Sequence, residues 1–388
     1  MSLRLYILAG EPSGDKLGGA FLSGLKQLEP DVVVGGVGGP EMTAQGLNSL
    51  FPMDELSVMG IAEVLPKYPE LKRRLNQTVE DCLAFKPDVL VTIDSPDFSL
   101  RLAKAVKAAS DIRTVHYVAP SVWAWRSGRA QKMSAYVDHV LALLPFEPPY
   151  MEAAHMACDF VGHPVVAEPV ASGTEAEEFR KETGIDDAPI ILALPGSRKA
   201  EVGRLTPIFG EALRAVLARQ PDARVVVPAA APVASTVIDA TKNWPGEPVV
   251  LDPREDPRAD AKKRAAFKAA DMALAASGTV SLELAANSTP MVIAYDMNWL
   301  SWQIMSRMVK VDTVTLVNLV VGKNVVPECL GPDCKPQNIA DRLIELLSDE
   351  SARLRQVEAM QTTMEMLGQG QEPPGLRAAK AVLARMQE

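Results

Sequence analysis

Two short segments of the chain share one design. Leu194-Pro195-Gly196-Ser197-Arg198 ends an apolar run and opens a helix with small residues, backbone N–H groups and one guanidinium, the parts of a phosphate cradle. Ala276-Ser277-Gly278-Thr279 ends a later run in the same way, with a helix expected from Ser277. Glu283 lies four residues after Thr279, on the same helix face, placed to accept hydrogen bonds from a ribose diol. Either segment alone could be ordinary helix capping. Two of them point to a nucleoside diphosphate held without a metal. Ile93-Asp94-Ser95-Pro96-Asp97 closes another apolar run with a carboxylate that partial desolvation would turn into a general base. Helix capping is the competing role, and it is assigned to Asp97. Glu11 and Ser13 stand at the end of the first apolar run, where a site at the strand's carboxyl end and a tight glycine turn are equally open readings. Trp123 and Trp125 gather beside Arg126, and indoles suit sugar rings and acyl chains as well as they suit a core.

Neighbouring patterns exclude other chemistry. Gly10 to Leu17 has three residues between its glycines and no Lys-Ser/Thr, so it is not a P-loop. Gly35, Gly36, Gly38 and Gly39 follow the second run, and Pro40-Glu41 stands where a dinucleotide fingerprint needs its third glycine. His155, Cys158 and His163 match no common zinc spacing, so neither a metal nor any other cofactor is expected. With 40 Lys+Arg against 49 Asp+Glu, the net charge of −9 offers nucleic acid no attracting field.

Positioning these residues requires strands. Val/Ile/Leu-rich runs alternate with helical stretches along all 388 residues, the pattern of βαβ units and parallel sheets. Strands are expected at Leu3–Ala9, Val32–Gly35, Val89–Asp94, Arg113–Tyr117, His139–Leu143 and Asp159–Val161. The series restarts at Ile190–Leu194, Arg224–Pro228, Val249–Leu251, Met272–Ala275 and Met291–Tyr295. Between them Gly162 to Pro189 carries prolines, a turn and an acidic cluster, marking a boundary followed by a solvated helix. The expectation is an α/β protein of two parallel-sheet domains, 1–165 and 166–367, facing a cleft where ligands of open sheets bind. A connector and helix, 368–388, would pack back on an N-terminal domain.

Four cysteines and no secretory leader fit a reducing cytoplasm. No run of about 18 apolar residues is present to span a membrane. Two amphipathic stretches could rest on anionic lipid. One contains Val58, Met59, Ile61, Val64 and Leu65 and continues through Tyr68 to Leu75 with Lys67, Lys72, Arg73 and Arg74, interrupted by Pro66 and Pro69. The other, Met297 to Val311, has Trp299, Trp302, Met305, Arg307, Met308 and Lys310 and no acid. A buried face with solvated cations is the alternative for each.

Together, Ala9–Asp15, Val58–Val64, Ile93–Phe98, His116–Arg126, Leu143–Glu147, Leu194–Arg198, Ala276–Glu283, Leu316–Leu319 and Pro336-Gln337 resemble the lipid-A-disaccharide synthases, with Pro-Ser-Val-Trp-Ala-Trp-Arg the most specific block. Val317 departs from the proline expected before Asn318. The resemblance implies a GT-B fold of two Rossmann-like domains without catalytic metal. It implies transfer of 2,3-diacylglucosamine from its UDP derivative to the 6-hydroxyl of 2,3-diacylglucosamine 1-phosphate, giving a β-1,6 disaccharide 1-phosphate and UDP. Peripheral attachment to the cytoplasmic face of the inner membrane, and homodimers exchanging C-terminal segments, are implied too. Asn318 and Gln337 carry over as donor contacts, Glu11 and Ser13 as residues beside the reacting sugars. A UDP-sugar 2-epimerase, a peptidoglycan-type glycosyltransferase or a non-enzymatic nucleotide-binding module would share the architecture.

Overall fold

The runs at Leu5–Ala9, Ile190–Leu194 and Met272–Ala275 are apolar at consecutive positions and buried along their length, as parallel strands covered on both faces must be. The computed structural model describes residues 2–56, 61–124, 128–298, 302–303, 307–308 and 311–387, with the side chains of 61–66 outside that description. Its strands form two six-stranded parallel sheets.

The first sheet contains β1 (Arg4–Ala9), β2 (Val33–Val37), β3 (Val89–Ile93), β4 (Arg113–Tyr117), β5 (His139–Ala142) and β6 (Ala157–Phe160), in the order β2-β1-β3-β4-β5-β6. Its helices are α1 (Pro12–Leu28), α2 (Pro40–Ala44), α3 (Ile61–Phe85), α4 (Pro96–Ala109), α5 (Gly128–Met133) and α6 (Pro148–Glu152). The interruption expected at Pro66 and Pro69 does not occur, since α3 runs through both. Each proline there forfeits one backbone hydrogen bond that the other turns of a long helix can carry. Arg74 of α3 is a latch: it grips the Glu55 carboxylate with two nitrogens at 2.5 and 2.6 Å and lies over the Phe51 ring.

The second sheet contains β7 (Ile190–Leu194), β8 (Arg224–Pro228), β9 (Val249–Leu251), β10 (Met272–Ala275), β11 (Met291–Tyr295) and β12 (Glu328–Leu330), ordered β12-β11-β10-β7-β8-β9. Around it lie α7 (Gly173–Glu182), α8 (Lys199–Arg219), α9 (Ala234–Thr241), α10 (Ala259–Ala269), α11 (Val280–Ala286), α12 (Leu316–Val321), α13 (Pro336–Ser348) and α14 (Glu350–Met366). The short edge strand β12 is the one that the apolar pattern does not announce. The solvated helix expected after the boundary is α7, whose Ser172 and Glu175 form a reciprocal capping box.

The chain divides into two compact units: residues 1–167 with 367–388, and residues 168–366. The last helix, α15 (Pro374–Met386), thus belongs to the first unit, where it packs on α1. Glycine makes this approach possible, because a Cβ on Gly24 would fall 2.6 Å from Leu376 Cα. Ala378, Ala379 and Val382 join the core beneath the first sheet, and Arg385 reaches the Asp159 carboxylate at 3.1 Å.

Candidate active site

In the first sheet the strand order turns about β1 and β3, whose crossovers lead to opposite sides. Ligands of open α/β sheets bind at the carboxyl ends of strands at such a switch point. Ala9 pairs with Ile93 there, so the segments leaving both strands start side by side. Glu11 precedes α1 with extended backbone, and its carboxylate accepts a hydrogen bond from Ser95 Oγ at 3.4 Å. Ser13 is exposed in the first turn of α1. Asp94 and Ser95 both have left-handed backbones, φ 45° and 42°, and the Asp94 N–H donates to Tyr117 O at 2.9 Å. Burial holds the Asp94 carboxyl above the usual aspartate range, against a backbone N–H bond from Ser95 that favours the ionised form. Strained backbone of this kind persists only where the surroundings enforce it, and it concentrates at functional sites.

Asp97 is not the helix cap. Pro96 is the first residue of α4, Ser95 takes the cap position without a side-chain bond to the helix, and exposed Asp97 falls inside the first turn. Its charge there still suits the helix dipole.

Beyond the neighbouring strand β4, Val118 has φ 86°, an outlier for a β-branched residue. The loop then carries Trp123, half-buried, its ring edge-on to Phe146 at 5.1 Å. The indole N–H donates to Glu147 Oε1 at 3.3 Å, while Glu147 Oε2 accepts from the backbone N–H groups of Leu143 and Leu144 at 3.1 and 2.9 Å. Glu147 is 4% exposed, and burial pushes its pKa up to about 7. Trp125, Arg126, Val58 and Met59 lie outside the described residues, as do the side chains of Ile61, Val64 and Leu65 and the residues Trp299, Met305 and Lys310. Exposed Lys67, Tyr68, Lys72 and Arg73 line α3. Trp302 sits against Gly331, occupying the space a side chain there would need, whereas Arg307 and Met308 are exposed.

The second sheet repeats the logic, turning about β7 and β10, where Leu194 pairs with Ala275. Both glycine-serine segments follow these two strands. Gly196 has φ +110° and Gly278 φ +144°, conformations that side chains rarely adopt, so each turn can present bare backbone. Arg198 takes the cap position of α8, its carbonyl accepting from the Val202 N–H at 2.9 Å, and its exposed guanidinium makes no hydrogen bond or ion pair among the described residues. The Ser197 N–H donates to Glu201 Oε2 at 3.0 Å. The second turn differs from expectation in its helix, which starts at Val280 rather than Ser277, leaving Ser277, Gly278 and Thr279 as a loop. Glu283 pairs with Lys263 at 2.7 Å, both side chains remaining partly exposed.

Asn318 requires a correction. It is 1% exposed; its amide nitrogen donates to Thr313 Oγ1 and Val326 O, and its oxygen accepts from the Val325 and Val326 N–H groups. An amide so engaged has no donor or acceptor left for a ligand, so Asn318 staples a loop. Glu328 secures the other end, accepting from the Thr313 and Thr315 hydroxyls and the Val314 and Thr315 N–H groups. Val317 is the second residue of α12, where a proline's missing N–H would cost no helical bond. Valine there leaves the same helix intact. Gln337, exposed in the first turn of α13, donates to Asp341.

His163 is buried, its Nδ1 accepting from the Val165 N–H, with a pKa lowered to about 4 by burial; Cys158 is buried in β6. Among the described residues no group of three or more His, Cys, Asp or Glu is arranged to hold a metal ion.

Within the first unit, then, Glu11, Asp94 and Ser95 come together; within the second, Gly196–Arg198 and Ser277–Thr279 leave paired strands. The sequence assigns no role to Ser95, Val118, Glu147 or Glu201, although the first three lie within segments that carry the family resemblance. An acid in an otherwise apolar stretch, as Glu147 is after Leu143-Leu144-Pro145-Phe146, was the available signal for one of them.

Residues 5–382 match the family model described as lipid-A-disaccharide synthetase. A lipid-A-disaccharide synthase of Ruegeria pomeroyi is 64% identical, covering 99% of this chain and 96% of its own. One from Rhodospirillum centenum is 47% identical, covering 98% and 94%. Among solved structures, the UDP-GlcNAc 2-epimerase of Neisseria meningitidis bound to UDP-GlcNAc superposes with TM-score 0.66 at 12% identity, covering all of both chains. A glycosyltransferase from Rickettsia africae gives 0.62 at 11%, covering 100% and 99%.

Proposed function

Since the chain belongs to the lipid-A-disaccharide synthetase family and is a glycosyltransferase of lipid A biosynthesis, we propose that Asp94 is the base of its transfer reaction and the Gly196–Arg198 and Ser277–Thr279 turns its leaving-group site. The fold is GT-B, shared with UDP-sugar epimerases, and full-length identity to synthases favours transfer over epimerisation.

The donor is UDP-2,3-diacylglucosamine and the acceptor 2,3-diacylglucosamine 1-phosphate. Inversion takes one in-line displacement. The acceptor O6 bonds to the anomeric carbon as the carbon–oxygen bond to the diphosphate breaks, and UDP departs with that electron pair. The acceptor proton goes to Asp94. A carboxylate held above its usual range is the better base near neutral pH, because it is closer in proton affinity to its task. Glu11, bonded to Ser95, and Ser13 border the reacting sugars.

Charge on the departing diphosphate is met by the Arg198 guanidinium, backbone N–H groups of the two turns and the amino end of α8. Glu283 and Gln337 contact the nucleotide, with Glu283 exchanging part of its hold on Lys263; Asn318 shapes the loop beside it. Trp123, Trp125 and Arg126 flank the acceptor. Val58, Met59, Ile61, Val64 and Leu65 meet acyl chains or membrane.

The observation that carries this reading is the strained, partly desolvated Asp94 at the switch point, next in the chain to the Ser95 whose hydroxyl bonds Glu11. Incubation with donor and acceptor in EDTA, followed by mass spectrometry, tests it together with metal independence: disaccharide 1-phosphate should form in a 1:1 ratio with UDP.

The enzyme works at the cytoplasmic face of the inner membrane as a peripheral protein. No described helix is long and apolar enough to cross a membrane, and the exposed cations of α3 suit anionic lipid. Homodimers form by exchange of α15, the contacts it makes with α1 being remade on a second copy; light scattering would report the doubled mass.

A further inference from the structure

We infer that Glu147 is a positioning residue for the acceptor, its carboxylate tying the Trp123 loop to the turn after β5. This rests on the proposed placing of Trp123 beside the acceptor and deepens it. Burying a carboxylate is costly unless hydrogen bonds replace its water. Here three N–H groups from two different loops converge on it, those of Leu143, Leu144 and the Trp123 indole. No described cation pairs with it, so the hold is directional rather than a diffuse attraction of charges. Phe146 fixes the indole plane from the side. The loop held in this way starts from Val118 at φ 86°, a conformation that only firm anchoring elsewhere can maintain. β4 adjoins β3, from whose end Asp94 emerges, so a displaced Trp123 loop would misplace whatever sugar the base must reach.

Glu147→Gln is nearly isosteric and diagnostic. An amide has one oxygen, so it can accept from the indole or from the two backbone N–H groups, and turns its own donors on the rest. Full-length Glu147→Gln, Trp123→Phe, Trp123→Ala and the Glu147→Gln/Trp123→Phe pair would be compared by acceptor KM, kcat and calorimetric UDP affinity. Glu147→Gln and Trp123→Phe should each raise acceptor KM roughly tenfold, the effect of one lost hydrogen bond. The pair should be no worse than the poorer single variant, and UDP affinity should stay within twofold of the parent.

Multiplying effects in the pair, an equal loss of UDP affinity, or unchanged acceptor KM in Glu147→Gln would overturn the inference. Trp123→Phe, which keeps the ring and removes only the donor, decides the matter alone if Glu147→Gln does not fold: unchanged acceptor KM sinks the inference. Trp123→Ala separates the two levels, since an unaltered acceptor KM there removes the acceptor role of Trp123 itself. A raised KM in Trp123→Ala with none in Glu147→Gln leaves that role standing and removes only Glu147.

Discussion

Ala9 and Ile93 are paired neighbours in adjoining parallel strands, and just beyond them the chain brings Glu11 within 3.4 Å of the Ser95 hydroxyl. The pairing of Leu194 with Ala275 does the same work in the second sheet for the two glycine-serine turns. In both sheets the residues with chemical potential leave the two strands about which the order turns. The physical reason is shared: crossovers that diverge to opposite sides leave the strand ends between them uncovered.

The pH profile should carry the mark of Asp94. Its carboxyl is held above the usual aspartate range by burial, and the base must be ionised. Activity is therefore lost as pH falls through a pKa higher than that of an exposed aspartate. Measuring kcat/KM from about pH 3 upward tests this, with an acid limb centred at or below about 4, the ordinary aspartate position, as the contrary result.

Arg198→Ala should weaken UDP binding by roughly tenfold to a hundredfold, the range for losing a charge-assisted hydrogen bond to an anion. Arg198 is exposed, so the melting temperature should hardly move. Calorimetric titration with UDP reads the first effect and thermal unfolding the second.

Glu147 should impose a pH dependence on stability. Its folded pKa, about 7, lies above the unfolded value, so the folded state binds the proton more tightly. Stability from this group is greatest below the unfolded pKa near 4.5 and is lost as pH rises to about 7. The size is on the order of 3 kcal/mol. Denaturant unfolding at pH 5 and pH 8 should show the parent's advantage over Glu147→Gln shrinking at the higher pH; a constant difference would refute the assignment.

Lys67, Lys72 and Arg73 are exposed on α3. Reversing all three to glutamate should weaken sedimentation with vesicles containing phosphatidylglycerol, at about 1 kcal/mol per lost cation. Binding to neutral vesicles should change little, and added salt should erase the difference.

Much of the fold was legible because buried parallel strands write themselves as continuous apolar runs: Ile190–Leu194 and Met272–Ala275 fall where the pattern puts them. β12 did not show, being three residues at a sheet edge with a glutamate at its start. Asp94 could be picked out since an acid ending an apolar strand is unusual. Its left-handed backbone could not, because nothing in the residue types announces two successive positive φ angles. Asp97 misled because Pro96 moves the cap to the residue before itself. Asn318 looked like a ligand contact, but its four hydrogen bonds come from Thr313, Val325 and Val326, partners that only the closed loop brings together.

The central assignment is tested most directly by Asp94→Asn, measured for UDP affinity by calorimetry and for disaccharide formation under saturating substrates. UDP should bind as it does to the parent while transfer falls by about 10² to 10⁴, the contribution of a general base. Transfer within a few-fold of the parent, with UDP still bound, would contradict the account.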